Sequence, residues 1–149
     1  MSDNNEELEF ELITSARQLG TPPALRTKEV IIRDWKTATS KKASKFIVSE
    51  VTASDYDALV RAAWTFNPDG SRKHYQAEDS DIRLVAWTVV DPHGNRLWST
   101  IEAAKAQLRP LGKATLDILL NAANEVNSVK VEDVEGNSEG TTKDSSPTT

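Results

Sequence analysis

Four breaks divide this chain, and no regular element can run through any of them. They are Thr21-Pro22-Pro23, Asn67-Pro68-Asp69-Gly70, Asp91-Pro92-His93-Gly94-Asn95 and Arg109-Pro110-Leu111-Gly112. Proline removes a backbone donor and pushes its predecessor toward extended geometry, and the flanking Asn, Asp and Gly residues favour turns. The apolar residues between the breaks form short stripes, so the chain is limited to a few short elements around one modest core. A length of 149 residues fits a single domain. We expect that domain over residues 7–129. The acidic residues 1–6 and the Glu-, Asp-, Ser- and Thr-rich residues 130–149 lack the apolar surface that offsets the entropy of ordering, and are expected to be disordered ends.

Composition excludes several classes. No stretch approaches the roughly 18 consecutive apolar residues of a membrane span, and the acidic start MSDNNEELEFEL is unlike a secretory leader. With no cysteine there is no disulfide framework, no thiolate nucleophile and no cysteine-based zinc site. The net charge of −5 is concentrated at the two ends, leaving the middle nearly neutral, so a nucleic-acid partner is not expected.

Stripe by stripe, the spacing gives a fold. Leu8, Leu12, Ala16 and Leu19 recur at helical spacing and predict a short helix ending at Gly20. The β-branched runs Glu29–Trp35 and Lys45–Val51, joined by KTATSKKAS, read as a β pair with a polar tip longer than a usual hairpin loop. Thr52 and Asp55 cap a helix carrying Tyr56, Leu59, Val60, Ala63 and Trp64 on one face. The polar stretch SRKHYQAED reads as a surface loop. Residues 79–90 place Ile82, Val85, Ala86 and Val89 on one helical stripe. A buried strand competes there, and length favours the helix. Ser99 and Glu102 form a capping box for the next helix, and a last helix spans about 111–128. The expected class is α+β, predominantly helical: a small N-terminal β pair followed by about four helices, with flexible termini.

No residue set announces catalysis. His74 and His93 sit in polar surroundings without metal-ligand spacing, and Glu78, Asp79 and Asp81 crowd a helix start where negative charge is favourable. Neither a nucleophile elbow nor a phosphate loop is present. No catalytic residue, metal ligand or cofactor site is expected. The basic cluster Arg33, Lys36, Lys41, Lys42 and Lys45 reads as a hairpin tip kept soluble and unpaired by its charges. Of the four tryptophans, Trp35 and Trp64 are explained by burial, and Trp98 is placed to staple the helix that follows it. Trp87 differs, because with Leu84 it gives the 79–90 helix a second apolar side. That side is either covered within the monomer or meets another chain, so Leu84 and Trp87 are the candidate partner-binding residues.

The order of features resembles a known family. An extended pair leads into TASDYDALVRAAW. The segment Arg83-Leu84-Val85-Ala86, Val89-Val90-Asp91, Gly94 and Leu97-Trp98 follows, and a helix reading LLNAANEVNSV closes the series. Over about residues 25–128 this is similar to the tail assembly chaperones of long-tailed, siphovirus-type bacteriophages. The stretch 67–79 and the hairpin tip are longer here than in that pattern. The resemblance implies a non-enzymatic protein of the infected cell's cytoplasm, absent from the finished virion. It would bind the helical, aggregation-prone tape measure protein and help recruit tail tube subunits. Many such proteins are also made in a longer form by ribosomal frameshifting. Self-association would be compatible with this role, and a membrane is not a partner. The alternative is a structural head–tail connector or tail terminator subunit that stays in the particle.

Overall fold

The computed structural model describes residues 9–75 and 78–128. The expected disordered ends, residues 1–6 and 130–149, lie outside the described residues. Among the described residues before the first strand there is a single 3₁₀ turn, Ala16–Gln18, capped by the Ser15 side chain. The amphipathic helix expected there does not form among the described residues. Leu12 and Leu19 are exposed, so its stripe has no surface to bury against, and periodicity alone does not hold a short helix.

Strands β1 (Thr27–Lys36) and β2 (Ala43–Ser49) pair directly and antiparallel, with Val30 opposite Phe46 and Ile32 opposite Ser44. The register shifts between Ile32 and Lys36, and the tip is closed by the Thr37 amide donating to the Lys42 carbonyl at 2.8 Å. Alternation is clear in β1: Val30 and Ile32 are buried, whereas Ile31 faces out. Helix α1 (Ala53–Ala62) starts as read, with the Asp55 amide donating to the Thr52 hydroxyl at 3.0 Å.

Two strands then correct the reading. β3 (Trp64–Phe66) and β4 (Arg72–Tyr75) form a separate two-stranded sheet over residues whose pattern predicts a helix end and a loop. α1 ends at Ala62, and the Asn67–Gly70 segment is not its terminator but the turn of this hairpin. Gly70 adopts φ 91°, and the Ser71 amide donates to the Asp69 carboxylate at 2.9 Å.

Helix α2 (Ser80–Thr88) passes straight into β5 (Val89–Val90), which adds to β2 through the pairs Val48–Val89 and Ile47–Val90. Helix and strand thus share the segment that sequence periodicity left contested. The switch falls at Thr88, whose buried hydroxyl donates to the Leu84 carbonyl at 2.9 Å, ahead of the extended Val89. The chain continues into α3 (Ile101–Leu108) and α4 (Lys113–Val126). The cap of α3 is Thr100 rather than Ser99, its hydroxyl accepting from the Ala103 amide at 3.1 Å.

The expected class, one small β pair followed by helices, is therefore overturned. The described residues form a mixed α+β fold of four α-helices and five strands in two antiparallel sheets, one ordered β1-β2-β5 and the other β3-β4. The core lies where α2 and α4 meet the three-stranded sheet, with α3 packed on α2. Val48, Val85, Val89, Leu108 and Leu119 are fully buried there, each side chain contributing about 1.5–3 kcal/mol on leaving water. Polar ties at the end of α4 fix it to the sheet: Lys28 pairs with Glu125 at 2.6 Å, and the Val51 amide donates to Asn127 Oδ1 at 2.9 Å.

Candidate partner-binding groove

The residues that carry the family resemblance fold as one continuous unit. After β5, Asp91 organises the turn: its carboxylate accepts from the Asn95 amide at 3.0 Å and the His93 amide at 2.8 Å, while Gly94 takes φ 90°. These amides, that of Asn95 foremost, hold the Asp91 carboxyl below its ordinary pKa. The Leu97 amide then donates back to the Val89 carbonyl at 3.0 Å, so the chain returns alongside β5. That return places the Arg96 guanidinium 3.4 Å from the centre of the Trp87 ring. It also buries Trp98, whose indole N–H donates to Gln107 Oε1 of α3 at 2.6 Å. The expected staple is thus a hydrogen bond reaching into α3.

Between α2, the Arg96–Thr100 stretch and the first turns of α3 lies a groove of about 390 Å³. Trp87, Ala86, Trp98 and Ile101 supply its apolar wall, and Arg83, Arg96 and Lys105 its cations. The three cations are not equivalent. Arg96 is an exposed residue stacked on Trp87. Lys105 is paired with Asp79 at 3.6 Å. Arg83 is only 9% exposed, and among the described residues its guanidinium has neither a hydrogen bond nor an ion pair.

The structure separates the two candidate residues. Both Leu84 and Trp87 are half-buried and pack on the edge of the core. Trp87 lines the groove, with Arg96 over its ring, whereas Leu84 does not reach it. Sequence reasoning passed over Arg83 as a site residue, although it lies four residues before Trp87 and so on the same helical face.

Other candidates occupy ordinary places. Asp79 is the cap residue of α2 at φ 63°, but its carboxylate makes no capping bond. Instead it accepts from both Arg109 Nε, at 3.0 Å, and Arg109 Nη2, clasping the start of α2 to the end of α3. The Arg109 guanidinium is the main reason its carboxyl titrates below the usual range. His74 lies in β4 and His93 in the turn, both exposed. Arg33, Lys36, Lys41, Lys42 and Lys45 are exposed around the β1–β2 tip, with Lys45 paired to Glu29 at 3.3 Å. Among the described residues no group of three or more His, Cys, Asp or Glu side chains could hold a metal ion, and no helix is long and apolar enough to cross a membrane.

A second apolar surface lies in the segment before β1. Phe10 is 78% exposed and Leu12 83% exposed, and Ile13, Leu19 and Leu25 are also on the surface. The helical spacing of Leu12 and Leu19 was readable; their failure to find a place in the core was not.

No protein-family model matches the chain, and neither a characterised protein nor a solved structure is significantly similar to it.

Proposed function

We propose that this protein is a tail assembly chaperone of a long-tailed bacteriophage. In this reading it holds the tape measure protein in a soluble form and helps bring tail tube subunits to it, without chemistry of its own. The observation that carries the proposal is the run of large apolar side chains, Phe10 through Leu25, left on the surface before β1. A polypeptide that leaves such side chains uncovered is suited to bury them against another chain. The groove at Trp87 adds a second surface that combines an aromatic face with cations, as binding hot spots commonly do. Further support comes from the Arg83–Trp98 segment, where the sequence resemblance is most specific. That segment forms a single hydrogen-bonded unit, from α2 through the Asp91 turn to the indole of Trp98.

The test is co-expression of the full chain with its cognate tape measure protein. A soluble complex is expected, with the tape measure protein aggregating when expressed alone. The double variant Phe10→Asp/Leu12→Asp should return the tape measure protein to the pellet. A tape measure protein that stays insoluble beside the wild-type chain would overturn the proposal. So would abundant peptides of this protein in purified virions, which belong instead to a connector or terminator subunit.

A further inference from the structure

We infer that the Arg83 groove is a carboxylate-binding site for a partner chain, taking an Asp or Glu side chain that is flanked by an apolar residue. The inference rests on Arg83 and its surroundings, and stands apart from the tail-assembly reading.

An uncompensated charge inside a protein is costly, and buried cations are ordinarily paired. Arg83 breaks that pattern. It is nine-tenths buried, lines the groove and has no anionic or hydrogen-bonding partner among the described residues. Asp79, one helical turn before it, is committed to Arg109 and Lys105. A partner arriving in the groove therefore meets a planar guanidinium with its donors unspent.

The charge balance selects the ligand. Lys105 is neutralised by Asp79, and Arg96 sits at the exposed edge on the ring of Trp87. Arg83 and Arg96 are thus the two cations of the groove without an anionic partner among the described residues, and of these only Arg83 is withdrawn from water. A guanidinium fork fits a carboxylate with two parallel hydrogen bonds. The walls select the source. Trp87, Ala86 and Ile101 would stay wet around a small free acid, whereas a side chain adjacent to an Asp or Glu on a peptide would cover them.

The site can be tested with the full-length ¹⁵N-labelled protein and three probes: acetyl-Leu-Glu-Leu-amide, its isostere acetyl-Leu-Gln-Leu-amide, and acetate. The indole N–H signal of Trp87, assigned through Trp87→Phe, is the reporter. The glutamate peptide is expected to shift that signal and to bind at least about tenfold more tightly than the glutamine peptide, the discrimination a charge-assisted pair supplies. Arg83→Gln should abolish the preference. Equal binding of the two peptides, or no binding of either, would overturn the site, and this comparison needs no variant to fold. Acetate binding as tightly as the glutamate peptide would overturn the assignment to a partner chain. Because the probes contain no tail protein, a failed tape measure experiment leaves this outcome unaffected.

Discussion

Arg83 and Thr88 occupy the same helix, and both are buried polar residues, yet they differ in how they are satisfied. Thr88 donates its hydroxyl within its own helix, to the Leu84 carbonyl at 2.9 Å, and so costs the fold little. Arg83 has no such outlet, and a residue kept in that condition lowers the stability of the free protein. Arg83→Met keeps the length and apolar stem of the side chain while removing the charge. It is expected to raise the unfolding free energy by about 1 kcal/mol, since replacing buried charge with apolar volume is commonly neutral or stabilising. Urea denaturation followed by tryptophan fluorescence measures this, and a variant less stable than wild type by a similar amount would mean that the guanidinium is satisfied within the fold.

Among the elements, the main polar tie between α2 and α3 is the Asp79 carboxylate at the start of α2. Asp79 titrates below its ordinary value because Arg109 donates to it, and its side chain is only 11% exposed. A carboxyl whose pKa is depressed on folding stabilises the protein above its unfolded value. That contribution is lost as pH falls through the folded value. The stability difference between wild type and Asp79→Asn should therefore be constant near neutrality and shrink once pH drops below about 4. Thermal melts of both proteins across that range measure it, and a difference that does not change with pH would place the effect in the backbone of the cap. Element by element, the sequence was informative wherever one period ran long enough to be distinctive. Val30 and Ile32 alternate with outward Ile31, and Leu119, Ala122, Ala123 and Val126 form one buried stripe, so the β1–β2 pair and α4 were legible. The β3–β4 hairpin was not, since a strand of three residues shows no period and Asn67–Gly70 serves equally to end a helix or turn a hairpin. Residues 80–90 combine a helical stripe with β-forming residues because they are a helix and then a strand. In the groove, the Trp87 side of α2 could be read from spacing. The isolation of Arg83 could not, because it depends on the placement of side chains in space, Asp79 on Arg109 among them.

For the whole molecule, the division between what holds the fold and what faces outward can be measured by contrast. Among the described residues the core is built without the segment before β1: Val48, Val85, Leu108 and Leu119 are buried among sheet and helices, while Phe10 and Leu12 are exposed and outside that cluster. Burial is where apolar side chains stabilise a fold, and truncating a fully buried leucine leaves a cavity as well. Leu119→Ala should thus cost about 2–5 kcal/mol. Phe10→Asp/Leu12→Asp, the variant expected to lose the tape measure protein, should stay within about 0.5 kcal/mol of wild type per substitution, as exposed positions do. Denaturant melts of the two variants separate the alternatives. If the double variant melts with wild type and Leu119→Ala does not, the apolar residues before β1 serve association. If instead the double variant is destabilised as severely as the core variant, those side chains belong to the fold, and the surface on which the chaperone proposal rests does not exist.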